Sequence, residues 1–175
     1  MTDSGTAQGF GIALSPTILI TQGDARPWSA KWLKVIYCNE WMQKIYAGGG
    51  TGNIEAEVCV ETFFTECCHV RDWIKGDIDS IPDLTEDDVD QWIERSEPLR
   101  TCRDICNSTK HRSRDWPDAV LADIRTTASG PEGTRVTIEI GFNTEDPVDA
   151  DALQLAEACV KSWREFFDLH GIDQP

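Results

Sequence analysis

Apolar residues recur at three- and four-residue steps over several stretches of this chain and alternate over one, a pattern that predicts helices with a little sheet. From Pro27, the positions Trp28, Trp32, Val35, Ile36, Met42, Ile45 and Tyr46 mark a first helix, with the proline suited to its first turn. Ala47-Gly-Gly-Gly-Thr-Gly52 ends it, since so many glycines cannot sustain a helix. Asn53 is expected to cap the second helix, about Ile54 to Lys75. Its main stripe is Cys59, Phe63, Cys67, Val70 and Ile74. Val58, Val60, Phe64, Cys68 and Trp73 widen that stripe over most of the circumference, as suits a central helix with several neighbours. His69 falls at the stripe's margin and Asp72 in the narrow polar gap.

An acidic connection from Gly76 to Leu84 leads to a short third helix bearing Val89, Trp92 and Ile93, for which Thr85 and Asp88 read as a cap. Ser96-Glu97-Pro98 breaks the chain again. A fourth helix, Leu99 to His111, then divides sharply at about 100° per residue. Leu99, Cys102, Ile105, Cys106 and Thr109 share a dry face; Arg100, Asp104, Asn107 and His111 share the opposite one. Beyond it, 119–127 and 134–142 alternate in part around Ser129-Gly-Pro-Glu-Gly133, which predicts a β-hairpin at about 119–142. Leu153, Ala156, Val160, Trp163 and Phe167 mark a last helix, about Asp149 to His170, closed by Gly171. Residues 1–25, rich in Gly, Ser and Thr, read as a flexible segment with one short strand near Thr17–Thr21. The expected fold is mainly α: an antiparallel bundle of four to five helices, a single domain over 26–175, with the hairpin appended before the C-terminal helix.

The charge changes this picture locally. The chain of 175 residues carries a net −15, which argues against wrapping nucleic acid over its whole surface. Between Arg95 and Arg114, however, six basic residues face only Glu97 and Asp104, a net +4. The fourth helix thus lies in a basic island that either contacts a protein or RNA partner or complements acidic neighbours within the fold. No apolar run is long enough to cross a membrane. Seven cysteines without framework spacing predict free thiols in a reducing cytoplasm.

Short Asp and Asn residues in mid-helix are poor helix formers, so Asp104 and Asn107 suggest a specific partner, which His69 and Asp72 could supply from the second helix. His69, Asp72, Asp104 and His111 would make a two-nitrogen, two-carboxylate metal set, but the spacing matches no standard one, and no metal or cofactor is expected. Cys67, Cys68, Cys102 and Cys106 lie on or beside apolar stripes and read as small core residues. Ala47–Gly52 lacks the Lys-Ser/Thr that a phosphate loop requires.

Phe63-Phe-Thr-Glu-Cys-Cys-His-Val-Arg-Asp-Trp-Ile74, followed by Leu99-Arg-Thr-Cys-Arg-Asp-Ile-Cys-Asn-Ser-Thr-Lys-His111, resembles a group of small bacterial and phage-associated helical proteins. These carry a His-x-x-Asp-Trp helix and an Asp-Ile-x-Asn-x-x-Lys-His helix, and are similar to HEPN-type bundles. Many bundles of that type are RNases of toxin and defence systems that place an Arg and a His, with four to six residues between them, at a dimer interface. The resemblance implies a homodimer, His111 as acid/base, and Arg103 or Arg100 at a phosphate, with Asp104 beside them. Here seven residues separate Arg103 from His111, which departs from that spacing. The expected function is therefore an interaction or ligand-binding module that uses the Asp104, Asn107 and His111 face, with His69, Asp72, Arg100 and Lys110 as further binding residues. A metal-independent RNase is the alternative and a metal-dependent enzyme the third reading.

Overall fold

The dominance of helix-period stripes carries through to the architecture. A computed structural model describes residues 27–49, 52–110, 120–130, 132–142 and 147–175. The strand expected near Thr17–Thr21 lies outside the described residues, as does His111. In chain order the elements are α1 (Trp28–Lys44), α2 (Asn53–Gly76), α3 (Glu86–Arg95), α4 (Glu97–Lys110), β1 (Val120–Gly130), β2 (Gly133–Phe142), β3 (Val148–Asp151) and α5 (Ala152–Leu169). No described helix is long and apolar enough to cross a membrane.

α2 is the middle of the bundle. Its Phe63, Phe64, Cys67, Val70 and Ile74 are all at most 1% exposed, and it packs against α1, α3, α4, α5, β1 and β2. The second wall is α5, whose Phe167 packs against Trp28 and Trp32 of α1 and against its own Trp163 and Phe166; Trp32 meets Phe167 edge-on at 5.0 Å. Aromatic pairs in this tilted or edge-to-face geometry add specificity to apolar burial. α3 joins the same core through Trp92, whose indole N–H donates to the Ser162 carbonyl at 3.2 Å. Between α1 and α2, Lys31 is buried and donates to Glu66 at 2.7 Å while lying over the Trp73 ring.

Local signals explain most helix ends. Thr85 and Asp88 form a reciprocal capping box at the start of α3, and Asp151 caps α5 by accepting from the Gln154 N–H at 2.9 Å. α2 departs from expectation: Asn53 is its first helical residue, and Gly52 occupies the cap position with no side-chain cap. α1 ends by widening into a π-turn, Ile45–Gly49, that is kinked at Gly48, with φ 92°.

The hairpin is part of a larger sheet. β1, β2 and β3 form an antiparallel sheet in that order, with Ile124 opposite Ile138 and Ile138 opposite Ala150. The sequence assigns Asp149 to the final helix, and the structure places it in β3. A four-residue edge strand with Val148 and Asp149 exposed carries no apolar alternation from which it could be read.

Tyr46, in the π-turn, fastens the sheet to the helices. Its hydroxyl donates to the Val136 carbonyl at 2.9 Å and accepts from the N–H groups of Val136 at 3.1 Å and Leu153 at 3.4 Å. The Tyr46 carbonyl accepts from the Arg135 guanidinium at 2.8 Å, and Arg135 also covers the Tyr46 ring. Gly133 is required beside it. At φ 111°, a Cβ there would stand 1.9 Å from the Tyr46 carbonyl oxygen. Burial raises the Tyr46 pKa above the ordinary phenol value, so the hydroxyl stays protonated and able to donate. Tyr46→Phe leaves the carbonyl and both N–H groups without this partner. It is expected to lower stability by about 1–3 kcal/mol, read as a reduced urea midpoint at unchanged m-value.

Candidate functional site

The stripe that makes α2 central also leaves one polar edge, and α4 packs along it. α4 buries Leu99, Cys102, Ile105 and Cys106, as its dry face predicts. Between the two helices lies a cleft of about 160 Å³. His69, Arg71 and Asp72 of α2 and Arg103 and Asn107 of α4 line its polar part; Cys67, Cys102 and Trp163 form its inner wall, and Ile93 of α3 closes one side.

Four of the residues singled out in the sequence therefore meet: His69, Asp72, Arg103 and Asn107. Their convergence follows from spacing, since Arg103 and Asn107 are one helical turn apart on α4. Asp104 lies outside the lining and sits 3.7 Å from Arg103 Nε, and exposed Arg100 also lies outside it. Lys110 ends α4, and His111 lies outside the described residues. The geometry thus centres on Arg103 and Asn107 instead of the Arg100–Asp104 line.

Carboxylates engage the cations around this cleft. Arg71 donates to Asp90 at 2.7 Å and lies 3.8 Å from Asp72. Lys75 donates to Asp90 at 2.6 Å and sits 3.4 Å from Glu86. Arg103 donates to Glu94 in a short contact and adjoins Asp104. Of the two readings of the basic island, Arg103 follows the internal one, pairing with acidic α3. The pairing favours both charged forms. Arg71 is pushed up by its hydrogen bond to Asp90, and Asp90 is held below the usual carboxylate range by Arg71 and then Lys75, against a smaller burial effect.

Below the polar edge, the inner wall contains a grouping that stripe reading dispersed among core positions. The Sγ atoms of Cys67, Cys102 and Cys159, from α2, α4 and α5, all lie within 4.8 Å of one another. Among the described residues this is the one group of three or more His, Cys, Asp or Glu ligand atoms gathered so closely. Cys67 and Cys102 belong to the set considered in the sequence; Cys68 and Cys106 stay outside the cluster, and Cys159 takes their place. No local signal links Cys159 to the others, because it comes from a helix 53 residues beyond Cys106.

The three sulfurs differ in character. Hydrogen bonds from Cys102 and then Cys159 pull the Cys67 pKa down, outweighing burial. Hydrogen bonding within the cluster pushes Cys102 well up, whereas burial is the main cause for Cys159. The backbone offers competing acceptors: the Phe64 carbonyl stands 3.5 Å from Cys102 Sγ, and the Pro98 carbonyl 3.3 Å from Cys159 Sγ. Trp163 Nε1 is buried without a partner of hydrogen-bonding geometry.

The lowered Asp90 pKa fixes the sign of a pH effect. Its contribution to stability is fully present above the unfolded carboxyl value, near 4, and is lost as pH falls through the lower folded value. In thermal unfolding, Asp90→Asn is expected to melt below wild type at neutral pH, with the gap closing below about pH 4.

No family model, curated protein or solved structure matches this chain.

Proposed function

We propose that this protein is a non-catalytic interaction module whose α2–α4 cleft receives a basic segment of a protein partner. The observation that carries this reading is the orientation of its ion pairs. Glu94 is 61% exposed and its partner Arg103 35%; Asp72 is 63% exposed and Arg71 40%. In these two pairs the carboxylate faces outward and the guanidinium sits behind it. Around the cleft three cations, Arg71, Lys75 and Arg103, share five carboxylates, Asp72, Glu86, Asp90, Glu94 and Asp104. A lysine or arginine of the partner would meet this surplus of negative charge, while Asn107 and His69 offer hydrogen bonds at the rim. The chain's net charge of −15 steers the same class of partner from a distance.

The HEPN-like RNase alternative needs a cation free to hold a phosphate as the scissile bond breaks. Glu94 and Asp104 occupy Arg103, one of the two candidate cations, which speaks against that role for it. A fold shared with nucleases would not by itself confer their chemistry.

Fluorescence anisotropy with a labelled lysine- and arginine-rich peptide, set against a labelled RNA of similar length, separates the two. The peptide is expected to bind with an affinity that falls as salt rises, and about tenfold more weakly to Asp72→Asn/Glu94→Gln. The RNA is expected neither to bind nor to be cut. Preferential RNA binding, or cleavage that persists in chelator, would overturn the proposal.

A further inference from the structure

We propose that Cys67, Cys102 and Cys159 form a three-sulfur coordination site for a thiophilic metal ion, with Cu(I) as the ion that fits it. Three observations carry this. First, three different helices deliver one sulfur each, all within 4.8 Å of one another, and the three residues are at most 1% exposed. Sulfurs at that separation need only a small inward movement to share one ion at ordinary metal–sulfur bond lengths of about 2.3 Å. Second, the ligand set is soft and stops at three. Among the described residues no carboxylate, imidazole or fourth thiol joins the group. Structural zinc takes four protein ligands in a tetrahedron, whereas thiolates select Cu(I), which is satisfied by three sulfurs in a plane.

Third, the surroundings supply what a buried site requires beyond its ligands. The Trp163 indole N–H is buried without a partner and shares the inner wall of the cleft with Cys67 and Cys102, so it is available to a metal-bound sulfur. Cys67 and Cys102 also open onto the α2–α4 cleft, which gives the ion a path from solvent. The ion arrives and remains as Cu(I). Each sulfur that forms a bond to copper releases its thiol proton to solvent, and no electron is transferred. The site does not depend on what occupies the outer cleft.

The test is a titration of the reduced full-length protein, under anaerobic conditions, with Cu(I) in competition with a chromophoric Cu(I) chelator. One Cu(I) per chain is expected, and X-ray absorption at the copper edge is expected to count three sulfurs and no nitrogen or oxygen. Cys102→Ser and Cys159→Ser should each weaken binding by about 100-fold or more, and Trp163→Phe by about tenfold. Cys106→Ser, buried in the same helix but outside the cluster, should bind as wild type does. The proposal is overturned by failure to bind one equivalent, by nitrogen or oxygen in the copper shell, or by Cys159→Ser binding as tightly as wild type. The absorption count on wild-type protein decides the matter even where a cysteine variant fails to fold.

Discussion

The constraint on which the structure depends is that α2, from Cys59 to Ile74, buries apolar residues around much of its circumference. A helix whose Phe63, Phe64, Cys67, Val70 and Ile74 are all buried must be enclosed, and the other elements are arranged as that enclosure. α1 and α5 cover it with interlocked aromatics, α4 closes the third side, and the sheet covers what remains. Where α2, α4 and α5 come closest, all three contribute a cysteine, a side chain small enough to let helices approach and apolar enough to be buried. The convergence of the thiols is thus a consequence of tight packing as well as the source of their shared chemistry.

The polar edge of α2 follows from the same enclosure. Because the apolar arc is wide, His69, Arg71, Asp72 and Lys75 share the polar edge, and α3 meets it with Asp90 and Glu86. Pairing there orients side chains more than it stabilises the fold, since partly exposed ion pairs each contribute about 0–1 kcal/mol. Its effect is local: Arg103, one of the six basic residues of the island, is drawn into carboxylate pairs, while Arg95 and Arg100 stay exposed.

The helices were legible because their apolar stripes are long and regular, and the capping box at Thr85 and Asp88 is local chemistry that spacing reveals. The convergence of His69 and Asp72 with Arg103 and Asn107 was legible in part, because it required only that two amphipathic helices turn their polar edges toward each other. Three features were not. β3 is too short and too polar to alternate. Cys159 joins Cys67 and Cys102 only through the crossing of distant helices. The internal pairing of Arg103 depends on how α3 packs, which a count of charges along residues 95–114 does not reveal. Periodicity reports which face of an element is dry, and it is silent about which dry faces meet.

The Tyr46 clamp has an entropic cost. The pairing of β1 with β2 joins residues close in sequence, so the hairpin can form as a local unit. Tyr46, however, grips Val136 across 90 residues and Leu153 across 107. Ser108 of α4 ties the same sheet across only 14 residues, accepting from the Ala122 N–H at 2.8 Å. Contacts that join distant residues carry the larger loop-closure cost, so the α4 tether is the inexpensive link between sheet and bundle and the Tyr46 clamp the costly one.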